Sequence, residues 1–152
     1  MVILGFGEKD YIDFLMQLSK QLGCDDAIDF KGYTDDVSQY MRTATALIVA
    51  SYNEGFGRMT AEASFYGCMV IGRGTGGTKE IMDETGGFQF LTNEELLQQM
   101  IKIAQMSEAE YRQLVLKAQS KAIELYSTEN NVNSVEQFYM DILNNKAKDC
   151  ER

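Results

Sequence analysis

SYNEGFGRMTAEA, residues 51–63, is the stretch from which the fold of this chain can be predicted. It follows the apolar run ALIVA, residues 46–50, whose lack of alternation is typical of a strand covered on both faces of a parallel sheet. The Gly-Phe-Gly sequence at 55–57 predicts a tight turn, and a helical pattern begins at about Arg58. The stretch therefore predicts a strand, a turn and the start of a helix.

This arrangement is suited to binding an anion. A helix that begins directly after a glycine turn offers unpaired backbone amides and roughly half a positive charge from its dipole. Glu54 and Glu62 would repel a phosphate, but their carboxylates are acceptors suited to the hydroxyl groups of a ribose or a hexose. A sugar nucleotide offers both kinds of group.

Charge and length limit the possible partners. A chain of 152 residues is long enough for one domain of ordinary size. Its net charge of −9, with scattered lysines and arginines, argues against nucleic acid and against membrane contact through anionic lipid. No apolar run approaches the roughly 20 residues of a membrane span, and no signal-peptide pattern is present, so we expect a cytoplasmic protein.

The residue types present also limit the chemistry. The chain contains no histidine, which excludes an imidazole base and the Ser-His and Cys-His nucleophiles. Cys24, Cys68 and Cys150 are odd in number and far apart, so neither structural disulfides nor a zinc site are expected. Any chemistry must come from carboxylates, a ligand or another chain.

Strand and helix patterns alternate along the first 91 residues. Strands are predicted at 2–4, 27–30, 46–50, 69–72 and 88–91. Helices are predicted at about 11–22, 34–41, 58–66 and 79–82, with a flexible glycine-rich loop at 74–78 before the last of them. From 93 to 144 only helical periodicity remains; it predicts three helices, with Ser107 and Thr128 as N-caps and a capping box at Ser107 to Glu110.

The alternation predicts an α/β fold. We expect a Rossmann-like parallel sheet with helices on both faces, and a helical C-terminal segment packed on it. Residues 1–145 are predicted to form a single domain, and 146–152 a frayed tail. Ligands of such sheets bind beyond the carboxyl ends of the strands, where we expect the glycine-rich turns at 5–7, 51–57 and 72–77.

The order of the motifs resembles a known family. Its pattern is found in LGFGE at 4–8, FKGY at 30–33, Tyr40 with Ala44, SYNEGFG at 51–57, Glu62-Ala63 with Gly67, VI at 70–71, and GG with EI at 76–81. The sequence resembles the C-terminal, donor-binding half of a GT-B fold glycosyltransferase of the retaining family-4 (group 1) type. Each motif alone is weak, but the set, with E-x7-E at its centre, is specific.

The resemblance implies binding of a nucleotide-diphospho-sugar, for retaining transfer of a hexose to a polysaccharide, glycolipid or similar acceptor. Glu54 matches the first glutamate of E-x7-E, which contacts the hydroxyls of the transferred sugar, and it is the candidate catalytic residue. Glu62 matches the second glutamate, which holds the ribose. No metal and no other cofactor is implied.

The resemblance also implies further donor-binding residues. Gly57, Arg58 and Met59 match positions whose backbone amides meet the diphosphate, and Gly55 and Phe56 complete this turn. Gly32 and Tyr33 match positions near the base pocket.

Some features of the family are missing from the sequence. Relatives have a strand with a G-R motif, followed by a lysine, whose two cations neutralise the leaving diphosphate. They also have an N-terminal half with the acceptor site and a catalytic histidine. We therefore expect this segment to be inactive alone and to need the missing N-terminal half. Arg73, at a strand end, is a candidate for partly replacing the missing cations.

The missing strand would lie between the strands at 2–4 and 46–50. Three alternatives stay open: the two strands pair directly, another chain supplies a strand, or the sequence is a truncated segment or a truncated reading frame. Self-association is a related possibility. An alternative function is a non-catalytic α/β module that binds a nucleotide or a protein.

Overall fold

The structure is a computed structural model that describes residues 1–150. The chain forms two compact units, the first spanning Met1–Val37 and the second beginning at Ser38. None of the helices within the described residues combines the length and the apolar character needed to cross a bilayer.

The first unit is a small βαβ arrangement. It contains β1 (Val2–Leu4), α1 (Lys9–Gln21), a short 3-10 helix (Asp25–Ala27) and β2 (Asp29–Gly32). The two strands pair in parallel, with Val2 opposite Asp29. Helix α1 is followed by Gly23, whose φ of +66° allows the Cys24 amide to bond back to the Ser19 carbonyl at 3.0 Å. Within residues 1–37 Ser19 is the one buried residue, so this unit has little core of its own.

The second unit holds the larger core. Its elements are α2 (Ser38–Thr43), β3 (Ala46–Val49), α3 (Arg58–Phe65), β4 (Met69–Arg73), α4 (Gly76–Thr85), β5 (Phe88–Phe90), α5 (Asn93–Ala104), α6 (Glu108–Tyr126) and α7 (Thr128–Cys150). The strands form a parallel sheet in the order β3-β4-β5. All five residues of the central strand β4 are buried, as its apolar sequence predicts.

Helices cover both faces of this sheet. On one face, Met69 and Ile71 of β4 pack with Phe90 and with Ile103 of α5. On the other face, a Cβ at Gly72 would meet Thr78 and Met82 of α4, so only a glycine lets this helix come so close. The predicted α/β class, with parallel strands between helices, is confirmed, and α5 and α6 pack on the sheet as expected.

The strands fall into two sheets rather than one. β1 pairs with β2, while β3, β4 and β5 form a separate sheet. The strands β1 and β3 therefore do not pair directly, which was one of the alternatives left open by the sequence. The single domain predicted over 1–145 stays a prediction.

Two helices start at other residues than predicted. Helix α2 begins at Ser38, because the Thr34 hydroxyl accepts the Asp36 amide at 3.2 Å and forms a local turn instead of a cap. Helix α4 begins at Gly76, so most of the loop predicted at 74–78 is helical.

The caps of the C-terminal helices were partly predicted. The capping box at Ser107 and Glu110 is confirmed, and a second one at Thr92 and Glu95 was missed. Thr128 is the first residue of α7 rather than its cap; the Asn130 amide instead bonds to the Ser127 hydroxyl at 3.3 Å. The tail predicted at 146–152 includes residues 151 and 152, which lie outside the described residues.

Candidate functional site

The turn between β3 and α3 presents the start of a helix. Gly57 precedes α3 and has a φ of +80°, a backbone conformation that residues other than glycine rarely adopt. Its carbonyl accepts the amides of Thr60 at 2.9 Å and Ala61 at 3.3 Å, so the helix is wound from its first residue. Among the described residues, no side chain caps this terminus. Binding of a ligand by the amides at the start of α3 stays a prediction.

The second glycine stretch of this unit packs directly on the first. The Gly77 amide donates to the Glu54 carbonyl at 2.9 Å. A Cβ at Gly76 would lie 2.6 Å from the Glu54 carbonyl oxygen, and a Cβ at Gly77 would lie 2.3 Å from the Phe56 carbonyl. These two turns meet at the carboxyl end of the sheet because the glycines let the backbones touch.

Glu54 lies within this contact. Its side chain is half-buried, and its main chain is held by the bond from Gly77. Its carboxylate makes no ion pair with any other described residue. An anchored backbone with an unpaired carboxylate can accept hydrogen bonds from hydroxyl groups.

Glu62 lies one turn into α3 from its start. Its Oε1 is 3.0 Å from Nε of Arg58, one turn earlier on the same helix. The Arg58 side chain is 82% exposed, and such surface pairs contribute about 0–1 kcal/mol. A ligand hydroxyl can therefore replace Arg58 as the partner of Glu62 at small cost.

The turn also has an aromatic contact that sequence analysis missed. The rings of Phe56 and Tyr126 meet edge to face, with centroids 6.2 Å apart. Burial raises the pKa of Tyr126, and the carboxylates of Glu84 and Glu80 raise it further. Tyr126 closes α6, 70 positions beyond Phe56, and no local sequence signal connects the two residues.

Arg73 links the ends of the three strands. Its Nε donates to the Ala50 carbonyl at 3.2 Å and its Nη1 to the Leu91 carbonyl at 2.8 Å. Its guanidinium carbon lies 4.0 Å from the centroid of the Tyr52 ring. The side chain is buried, so its contacts are those of a structural link and not of a surface cation.

Two of the remaining predicted site residues, Gly32 and Tyr33, belong to the first unit. Gly32 has φ +70°, and its carbonyl accepts the Gly5 amide at 2.8 Å. The Tyr33 ring stacks on Phe6, with centroids 4.8 Å apart and an angle of 3° between the rings. Both rings are exposed. Gly55 and Met59, in the second unit, are exposed beside Gly57.

Among the described residues, no three histidine, cysteine, aspartate or glutamate side chains are grouped so that they could hold a metal ion.

Residues 1–122 match the family model described as glycosyl transferases group 1. The chain belongs to this family. The group 1 match includes β1 to β5 and most of α6, and so contains every predicted site residue. The expected resemblance to the GT-B fold glycosyltransferases is confirmed.

This chain is shorter than the three relatives described here. It is 26% identical over 145 residues to N-acetyl-alpha-D-glucosaminyl L-malate synthase from Bacillus anthracis, covering 85% of this chain and 34% of that protein. It is 25% identical to HepE from Anabaena, solved in complex with UDP, with a TM-score of 0.74 over 95% of this chain and 40% of HepE. HepE has also been solved with UDP-glucose.

The fold is shared more widely. Sucrose-phosphate synthase from Thermosynechococcus elongatus has a TM-score of 0.79 and 20% identity over 93% of this chain and 38% of its own. The chain thus spans between a third and two fifths of the length of these three relatives.

Proposed function

We propose that this chain is the donor-binding part of a retaining hexosyltransferase, which binds a nucleotide-diphospho-sugar and transfers its hexose to a polysaccharide, glycolipid or similar acceptor. One observation carries the proposal: α3 begins between Glu54 and Glu62 in the sequence, and no described side chain caps its N-terminus. A nucleotide sugar requires amide donors for its diphosphate and, beside them, carboxylates that accept hydrogen bonds from its hydroxyl groups. The complexes of HepE with UDP and UDP-glucose support this choice of ligand.

Each part of the donor has a proposed partner. The diphosphate binds the backbone amides of Gly57, Arg58 and Met59, with Gly55 and Phe56 shaping the turn. In this proposal the amides and the helix dipole stabilise the negative charge, and no metal or other cofactor takes part.

The carboxylates take the hydroxyl groups. Glu54 accepts hydrogen bonds from the hexose and is the proposed catalytic residue. Glu62 exchanges its partner Arg58 for the ribose hydroxyls. Gly32 and Tyr33 remain predictions as residues that contact the base.

The proposal separates binding from transfer. The leaving diphosphate needs cations, and the acceptor needs a site of its own; together such groups lower a barrier by several kcal/mol. Since Arg73 is committed to two carbonyls, it does not serve as the missing cation. We propose that these groups come from an N-terminal half and that the 152-residue segment alone is inactive. A cytoplasmic location stays a prediction.

Calorimetric titration with UDP-, GDP- and ADP-glucose tests the proposal. At least one donor is expected to bind, and Glu62→Gln and Glu54→Gln are each expected to weaken it by about 10- to 100-fold, the effect of losing a hydrogen bond to a charged group. Glu108→Gln, at the start of α6, is the matched control because it makes the same change of charge elsewhere.

The proposal is wrong if no donor binds, or if Glu62→Gln, Glu54→Gln and Glu108→Gln all bind alike. A failure to bind any nucleotide would favour the alternative of a module that recognises a protein. Hexose transfer by the chain alone would contradict the proposed inactivity.

A further inference from the structure

Two segments of the second unit are joined by a regular series of hydrogen bonds. We call residues 50–54 the loop segment and residues 73–77 the anchor segment. Every second residue of the anchor segment donates to every second carbonyl of the loop segment. The bonds run from Arg73 Nε to the Ala50 carbonyl (3.2 Å), from Thr75 Oγ1 to the Tyr52 carbonyl (2.8 Å) and from the Gly77 amide to the Glu54 carbonyl (2.9 Å).

This series continues the register of the sheet. In the paired strands β3 and β4, Ala46 lies opposite Met69 and Val49 opposite Gly72. The partners in the loop and anchor segments are 23 positions apart, the same offset as in the strands. The parallel pairing thus extends beyond both strands, with a guanidinium and a hydroxyl replacing the first two backbone donors.

The anchor segment is itself fixed. The Gly74 amide donates to the Phe90 carbonyl at 3.0 Å, and the second arm of Arg73 donates to the Leu91 carbonyl. The aromatic rings of Tyr52 and Phe90 both lie against the guanidinium of Arg73, 4.0 and 5.1 Å from its carbon atom. The anchor segment is therefore held by β5 and holds the loop segment in turn.

We propose that Arg73 and Thr75 are positioning residues that hold Glu54 and the turn after it in the geometry for donor binding. A loop that leaves a strand is ordinarily mobile and must lose entropy when it binds a ligand. The series of bonds removes that freedom before the ligand arrives and ends on the main chain of Glu54. The role in donor binding rests on the proposed function, whereas the fixing of the loop does not.

Thr75 offers a conservative test. Thr75→Val has nearly the same shape but lacks the hydroxyl donor, and Thr75→Ser keeps it. Amide hydrogen exchange of the ligand-free protein is expected to be faster in residues 52–57 of Thr75→Val by about two- to tenfold, the range for one hydrogen bond. Exchange in α5 and α6 is expected to be unchanged. Affinity for UDP-glucose is expected to fall by a similar factor, and Thr75→Ser is expected to restore both quantities.

Arg73→Lys is the second variant. A lysine keeps the charge but lacks the planar fork that reaches two carbonyls and stacks on Tyr52. A larger acceleration of exchange than in Thr75→Val is expected in residues 50–54. Thr128→Val, on the exposed start of α7, is the control for replacing a threonine by a valine.

The outcomes are distinguishable. Unchanged exchange in residues 52–57 of Thr75→Val would overturn the inference, as would equal acceleration throughout the chain. Faster exchange in the loop with unchanged UDP-glucose affinity would also overturn the positioning role. If the wild type binds no nucleotide sugar, the proposed function fails separately; local acceleration reversed by Thr75→Ser would then still support the fixing of the loop.

Discussion

At the scale of single residues, Cys68 shows how burial controls chemistry. Its side chain is 1% exposed, and burial raises the pKa of its thiol to about 11, although a hydrogen bond from the backbone of Leu47 opposes this shift. The thiolate is the reactive form, and at pH 8 it would be on the order of one thiol in 1,000. Cys68 is therefore a packing residue.

Alkylation of the folded protein tests this. We expect iodoacetamide at pH 8 to modify Cys24, which is half-buried, well before Cys68, as measured by peptide mass spectrometry. Because the thiolate fraction grows with pH below the pKa, the rate at Cys68 should rise about tenfold per unit between pH 8 and 10. In denaturant both thiols should react at similar rates. Rapid modification of Cys68 at pH 8 without denaturant would contradict its assignment to the core.

At the scale of elements, the contact between the turn at 54–57 and the start of α4 depends on backbone approach. Gly77→Ala would place a Cβ 2.3 Å from the Phe56 carbonyl, so one of the two backbones must move. We expect a loss of about 1–3 kcal/mol in the free energy of unfolding, the usual cost of forcing atoms into packed space. Urea denaturation would measure it.

The same turn contains its own control. A Cβ at Gly55 would meet nothing within 4 Å, and Gly55 has no positive φ. Gly55→Ala should therefore change the free energy of unfolding by no more than about 0.5 kcal/mol. If Gly55→Ala and Gly77→Ala unfold at the same urea concentration, the backbones of the two turns do not approach each other as closely as the structure indicates.

These glycines also show what could be predicted from the sequence. The strands, the turn at 55–57 and the start of α3 follow from apolar runs, glycine and periodicity, which act over a few residues. The start of α4 was missed because glycines at 76 and 77 suggest flexibility, whereas the structure uses them for contact with Glu54 and Phe56. That contact joins residues far apart in sequence, and no local pattern encodes it.

In the candidate site too, residues close together in sequence could be proposed, whereas contacts between distant residues could not. Glu54, Gly57 and Glu62 could be proposed from the sequence because they lie within nine positions of one another, and their roles stay predictions. The sequence places Arg73 at a strand end, but its two carbonyl partners, Ala50 and Leu91, directly follow two other strands. Tyr126 was missed altogether, because its position beside Phe56 depends on how α6 packs.

At the scale of the whole molecule, the two units differ in how much they bury. β4 is buried at every residue, whereas Ser19 is the one buried residue between 1 and 37. A two-stranded sheet with a single helix has little apolar area with which to offset the entropy of ordering its chain. The group 1 match nevertheless includes the whole first unit and most of the second, since it runs from residue 1 to 122.

Amide hydrogen exchange of the intact chain should reveal this difference. Protection factors reflect the free energy of the opening that exposes each amide, and that energy follows local burial. We expect amides of β1, β2 and α1 to exchange at least about 100-fold faster than those of β4, a difference of roughly 3 kcal/mol in opening free energy. Mass spectrometry of peptides from 1–37 and 69–73 would measure both in one sample. Equal protection would mean that the first unit is stabilised by more than its own packing, and that the chain unfolds as one cooperative body.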